Sequence, residues 1–199
     1  MSGARTLHQT EEAVSGKLGD LEFDVDAMTA ISNLYRVAST VRNHLEQSVL
    51  KDADLTWTAF VVLWVVWIWE SMETRHVAAE VGITKGTLTG VVQTLESRGL
   101  VVREIPATDR RRAFLSLTDK GEVLMAELFP AFNREEQFVV GGLSERRVKE
   151  LGSTLRRVLT HLETAGRERQ AEIVQAAAAQ SAGGTKDSPI RPRGRSNSR

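Results

Sequence analysis

Between residues 84 and 93 the chain carries Thr84, Lys85, Gly86, Thr87, Thr89, Gly90 and Gln93: hydroxyls, one ammonium, one amide and two positions without a side chain. This set suits the edges of stacked bases. A threonine methyl packs against the thymine methyl, and a glutamine amide pairs with adenine N6 and N7. Further along, Asp109 stands beside Arg110, Arg111 and Arg112, a carboxylate next to three guanidiniums that it can orient. Guanidiniums held this way contact phosphates or enter a narrow minor groove. Arg75, with His76 beside it, is a further candidate for phosphate contact, which positions a protein on DNA without specifying sequence.

The elements needed to present these groups can be read around them. Val77, Ala78 and Val81 share one helical face, Thr74 is the expected N-cap, and Gly82 ends the segment. Thr84 is a second N-cap, and Leu88, Val91, Val92 and Leu95 then recur at helical spacing until Gly99. Two capped helices joined by a short turn make a helix-turn-helix. Because the apolar set of the second helix must face inward, residues 84–87, 89, 90 and 93 are left to the major groove. Leu100–Ile105 and Ala113–Leu117 read as two strands flanking the charged loop 106–112. The order predicts a winged helix-turn-helix in a mainly α chain with a small β-hairpin wing. Gly90 costs that helix ~1 kcal/mol relative to alanine; either it permits close backbone approach or it is merely tolerated.

In Asp109-Arg110-Arg111, in the Leu-Thr-x-Lys-Gly pattern of Leu117–Gly121, in Leu95-Glu96-Ser97-Arg98-Gly99-Leu100, and in Leu55-Thr56 opening an earlier helix, the chain resembles the MarR family of bacterial regulators over roughly residues 25 to 165. The resemblance implies a homodimeric transcription factor on a pseudo-palindromic operator that yields to a small ligand. Many members of that family carry arginine near position 90. Glycine here removes a possible guanine contact, so the operator sequence does not transfer.

Composition agrees with a nucleic-acid partner once charge is resolved along the chain. The 199 residues hold 26 basic and 26 acidic groups. Residues 1–73 carry 5 basic against 11 acidic groups, 74–112 carry 7 against 4, 113–165 carry 7 against 8, and 166–199 carry 7 against 3. Positive charge therefore gathers on the proposed reading head and the tail. There is no cysteine, which excludes disulfides and thiol sensing, and the four histidines lack ligand-like spacing, so neither a metal nor a cofactor is implied. No glycine-rich phosphate loop, nucleophile motif or acid-base cluster points to an enzyme. The rival class is a winged helix used only as a protein-interaction module, against which the three wing arginines argue. The N-terminus shows no secretory pattern, and a cytoplasmic protein is expected.

The flanking segments complete the expected layout. Residues 1–22 are expected to form a flexible arm and 166–199 a disordered basic tail, on either side of a domain spanning 23–165. Within that domain, 23–51 and 118–165 are expected to be dimerisation helices and 55–117 the winged helix-turn-helix. Ile31, Leu34, Val37, Ala38, Val41, Leu45 and Val49 stripe the first helix; Val148, Leu151, Leu155, Val158, Leu159 and Leu162 stripe the last. Such stripes must be buried, and in this architecture the helices carrying them intertwine across a two-fold axis. Ala59 to Trp69 is an apolar run too short to span a bilayer, so no membrane partner is expected. Two readings of its tryptophans and of Trp57 are open: core or subunit-contact residues, or, with the cleft the family implies, Trp57 and Trp64 as walls for a small planar aromatic or phenolic effector. His44, beside the first stripe, is either a satisfied boundary residue or part of that ligand site.

Overall fold

The computed structural model describes residues 7–19, 21–109 and 111–183. In chain order the elements are α1 (Leu7–Leu18), α2 (Val25–Leu45) continued by one π-helical turn (Glu46–Leu50), α3 (Trp57–Trp69), β1 (Ser71–Glu73), α4 (Thr74–Val81), α5 (Lys85–Ser97), β2 (Val101–Glu104), β3 (Phe114–Leu117), α6 (Asp119–Val139) and α7 (Glu145–Gly183). No helix among the described residues is long and apolar enough to cross a membrane.

Helix α3 packs against the π-helical turn, β1, α4, α5, β3 and α6. Its N-terminus is capped twice: the Thr56 hydroxyl accepts the Ala59 N–H at 3.2 Å, and Glu46 Oε1 accepts the Trp57 N–H at 2.8 Å. Two donors that a helix start leaves unsatisfied thereby find partners. Ala59, Phe60, Val62, Leu63, Val65 and Val66 are buried, whereas Ile68 and Trp69 at the far end are exposed. Around α3 lie Leu45, Leu50, Val77, Leu88, Val92, Leu95, Leu100, Leu115, Met125 and Phe132, all buried in the same core.

The sheet has three antiparallel strands in the order β1-β3-β2. In its register Leu115 faces Met72 on one side and Arg103 on the other, and Glu73 faces Phe114. The wing pair is where sequence placed it. Strand β1 is additional, and it changes how α4 begins. Thr74 is not a cap: Glu73 occupies that position without a side-chain capping bond, and the Thr74 N–H is taken by the Ala113 carbonyl at 2.8 Å. Pairing with β3 runs straight into the helix and leaves the threonine hydroxyl no capping role.

Helix α5 is built as its sequence requires. Gly82, at φ +71°, closes α4 in the left-handed region, and the Thr84 hydroxyl accepts the Thr87 N–H at 3.1 Å. After α5, Gly99 at φ +67° turns the chain into β2. The start of α6 is then seated on this turn. The Thr118 N–H donates to the Leu100 carbonyl at 3.1 Å, and a Cβ on Gly121 would lie 2.1 Å from that carbonyl oxygen. Glycine is the residue that permits this approach.

Two segments are more ordered than expected. Residues 7–18, expected to be part of a flexible arm, form α1; residues 166–183, assigned to a disordered tail, continue α7. The composition argument concerned burial, whereas a run such as Ala176–Ala179 has the highest intrinsic helix propensity whether or not it is buried. Residues 1–6 and 184–199 lie outside the described residues. Considered by itself, α7 carries the ion pairs Lys149–Glu145 at 2.6 Å, Arg169–Glu172 at 2.9 Å and Arg146–Glu150 along its surface. Its stripe residues Leu151, Val158, Leu159 and Leu162 are exposed in the single chain, and on α2 so are Ile31, Leu34 and Val37.

Candidate nucleic-acid interface

A cleft of about 660 Å³ runs between α5 and the wing, lined among others by Arg75, Lys85, Thr89, Arg103, Arg111 and Arg112. Five cations, from α4, α5, β2 and the wing loop, thus share one concavity. Thr84, Lys85, Gly86, Thr87, Thr89, Gly90 and Gln93 are all exposed, while Leu88, Val92 and Leu95 are buried beneath them. The helix presents the face that its apolar spacing required.

The exposed groups are not equally available. The Thr84 hydroxyl is committed to the Thr87 N–H and lies 2.9 Å from the Thr87 hydroxyl. Thr89 donates its hydroxyl to the Lys85 carbonyl at 2.9 Å. These bonds engage the hydroxyls of Thr84, Thr87 and Thr89, whose methyl groups remain for apolar contact. Gln93 has no side-chain partner among the described residues, and both ends of its amide can address a base edge.

Asp109 orders the wing tip. Its Oδ1 accepts the Arg111 N–H at 3.0 Å, an Asx-type turn, and lies 3.5 Å from Arg111 Nε. The Arg111 side chain is 94% exposed, so this ion pair leaves it solvated and able to swing. Arg110 lies outside the described residues. Arg112 is different: at the foot of the wing its Nε donates to Glu73 Oε2 at 3.1 Å, and its guanidinium carbon sits 5.0 Å from the centroid of Phe114. Glu73 Oε1 lies 2.9 Å from Arg75 Nε.

The family model described as the MarR family matches residues 55–113. Over 161 residues the chain is 36% identical to YwaE of Bacillus subtilis, an HTH-type transcriptional regulator, covering 79% of this chain and 94% of that one. The chain belongs to the MarR family. MgrA of Staphylococcus aureus, also an HTH-type transcriptional regulator, is 30% identical over 127 residues, 64% of this chain and 85% of that one. Among solved structures, Bordetella bronchiseptica BpsR, whose DNA binding is regulated by 6-hydroxynicotinic acid, superposes with a TM-score of 0.61 at 26% identity, over 65% of this chain and 97% of BpsR.

As a MarR-family chain it is a winged helix-turn-helix transcriptional regulator. Two residues of the cleft escaped sequence reasoning. Arg103 lies on β2 as a lone cation beside Glu104, and Glu73 sits on a strand of three residues that no local pattern announced. An acid immediately before the first reading-head helix was the only signal for Glu73.

The residues considered for an effector lie elsewhere. Trp57 stacks against Phe132 at 6.3 Å between centroids and Trp64 against Phe129 at 4.9 Å, with Phe60 4.2 Å from Phe132 between them. An aromatic layer thus joins α3 to α6. His44 Nε2 is 2.7 Å from Glu135 Oε2, and its ring stacks on Phe138. All three candidates are engaged with neighbouring side chains of α3 or α6. Trp57, Trp64 and His44 are each only half-buried.

Proposed function

We propose that this chain is a sequence-specific, duplex-DNA-binding transcriptional repressor that works as a homodimer and is released by a small planar aromatic ligand. The observation that carries the DNA reading is the shared cleft: Lys85 and Thr89 of α5 line the same concavity as Arg103, Arg111 and Arg112 of the wing. A helix in the major groove with guanidiniums reaching the flanking backbone or minor groove is the docking this arrangement suits. Thr84, Lys85, Gly86, Thr87, Thr89, Gly90 and Gln93 read or approach bases; Arg75, Arg110, Arg111 and Arg112 hold the backbone.

The exposed stripes of α2 and of α7 each support a dimer, since a second copy would cover what one chain leaves in water. A pseudo-palindromic operator follows from two-fold symmetry, with half-sites about one DNA turn, ~34 to 36 Å, apart. Regulation of BpsR by 6-hydroxynicotinic acid supports an aromatic effector here, and Trp57, Trp64 and His44 remain its proposed contacts. A ligand that favours a spacing of reading heads out of step with successive grooves weakens DNA binding by linkage.

Fluorescence anisotropy with duplexes from the DNA upstream of the protein's own gene, at two salt concentrations, tests the first part. Retention should depend on sequence and fall with salt. Sequence-independent or absent retention would identify a winged helix that serves protein contact alone. Phenolic and hydroxylated aromatic acids, titrated while following both tryptophan emission and DNA release, test the second part. Quenching without release would make the binding incidental to regulation.

A further inference from the structure

Glu73 is the buried charged residue of the described core, 6% exposed, and it stands among the cations of the DNA-facing cleft. On a surface meant for phosphates an acid weakens attraction unless it contributes something else. Glu73 touches the two arginines that bracket the cleft. Oε1 lies 2.9 Å from Arg75 Nε at the start of α4, and Oε2 accepts from Arg112 Nε at 3.1 Å at the foot of the wing. Both arginines engage it through Nε, and their side chains remain 59% and 48% exposed.

From this geometry we infer that Glu73 is a positioning residue for DNA binding: one buried carboxylate fixes Arg75 and Arg112 as a two-pronged clamp on the phosphate backbone. The inference rests on the DNA-binding function proposed above. A free arginine loses rotamer freedom when it docks, and one already fixed has that loss behind it. The guanidinium fork divides naturally for this purpose, since Nε can be held from below while the terminal Nη groups address phosphate oxygens. Three features hold the clamp still. Glu73 is locked by β1–β3 pairing opposite Phe114, Arg112 is additionally held over the Phe114 ring, and the Thr74 N–H is bound to the Ala113 carbonyl. The wing and α4 are thereby set relative to each other across the cleft. Arg111, 94% exposed at the wing tip, is left to adapt.

The sign of one substitution decides the matter. Glu73→Gln keeps the shape but removes the charge and one of the two acceptor oxygens. If Glu73 positions the arginines, this change weakens operator and non-specific binding alike. The magnitude of the log-log salt slope then falls by as much as ~1.8, the value for two lost phosphate contacts, which is about 12-fold between 50 and 200 mM salt. If Glu73 acts only as a misplaced negative charge, Glu73→Gln binds more tightly with a steeper slope, and the inference is overturned. An unchanged slope and affinity overturn it equally. In an Arg112→Ala background the effect of Glu73→Gln should shrink, because its route through Arg112 is gone. Should Glu73→Gln fail to fold, the wild-type protein still answers by NMR: the Arg112 Nε–H should exchange with water far more slowly than that of Arg111. Equal exchange rates would sink the clamp. Wild-type protein that retains no duplex at all would instead overturn the functional proposal itself.

Discussion

The side-chain hydroxyl of Thr118 donates to the Gly99 carbonyl at 2.6 Å and accepts the Gly121 N–H at 3.1 Å. One oxygen thus caps α6 and fastens that cap to the turn that ends α5. Lys120 adds a second tie, its Nζ donating to the Arg98 carbonyl at 2.7 Å. These contacts tie the start of α6 to the turn between α5 and β2. Thr118→Val keeps the side-chain volume but removes both bonds, and should cost about 1 to 2 kcal/mol of stability. Thr118→Ser should recover most of it, as thermal unfolding of the two variants would establish.

Glycine substitutions should separate packing from propensity. Gly121→Ala would place a methyl against the Leu100 carbonyl and should destabilise by at least about 1 to 3 kcal/mol, with the joint between β2 and α6 displaced. At Gly90 a new Cβ meets nothing within 4 Å, so Gly90→Ala should stabilise by about 1 kcal/mol. If its DNA affinity falls while its stability rises, the backbone at Gly90 approaches the duplex closely. Unchanged affinity would mean that glycine is merely tolerated there.

In the wing, Arg110→Ala and Arg111→Ala should each weaken binding across many sequences and reduce the salt-slope magnitude by about 0.9. Gln93→Ala should relax base preference at one position per half-site with little change in slope. Titrations on an operator and on a scrambled duplex give both readouts. Identical effects of the two kinds of substitution on specificity would contradict the division of roles.

Sedimentation at micromolar concentration should show two chains, and Leu159→Glu with Leu162→Glu should shift the distribution to monomer or unfold the protein. Both leucines are more than half exposed in the single chain, so neither effect is expected unless another copy covers them. A double variant that stays dimeric would remove α7 from the interface.

The reading head was legible because its signals are local. Thr84, Gly82 and Gly99 each act within a few residues of themselves, and the buried face of α5 repeats at helical spacing. What sequence did not disclose depends on contacts between distant segments. Strand β1 is three residues long and exists through pairing with residues 114–116, about 40 positions later. Glu73 acquires its role from Arg112, 39 residues away. The aromatic layer between α3 and α6 is of the same kind: its tryptophans were conspicuous, but their neighbours Phe129 and Phe132 could not be matched to them by spacing. Helices α1 and the end of α7 were missed for another reason, since helix propensity was set aside in favour of burial.

Arg98 closes α5 and reaches back to the turn before α3, where its guanidinium donates to the Ala53 carbonyl at 2.9 Å and the Asp54 carbonyl at 2.5 Å. The Asp54 carboxylate, 4.0 Å away and 96% exposed, adds little. The acceptors are therefore main-chain atoms, presented by a turn in which Asp54 sits at φ +51°. A joint made in this way is blind to the side chains at 53 and 54. Among descendants of this gene position 54 can drift, provided that its residue tolerates a left-handed backbone, as asparagine, aspartate and glycine do, whereas Ala53 is held by its packing against the core. Position 98 has no such latitude, because a planar fork is what grasps two adjacent carbonyls at once. One part of the contact is thus open to neutral change and the rest is closed to it.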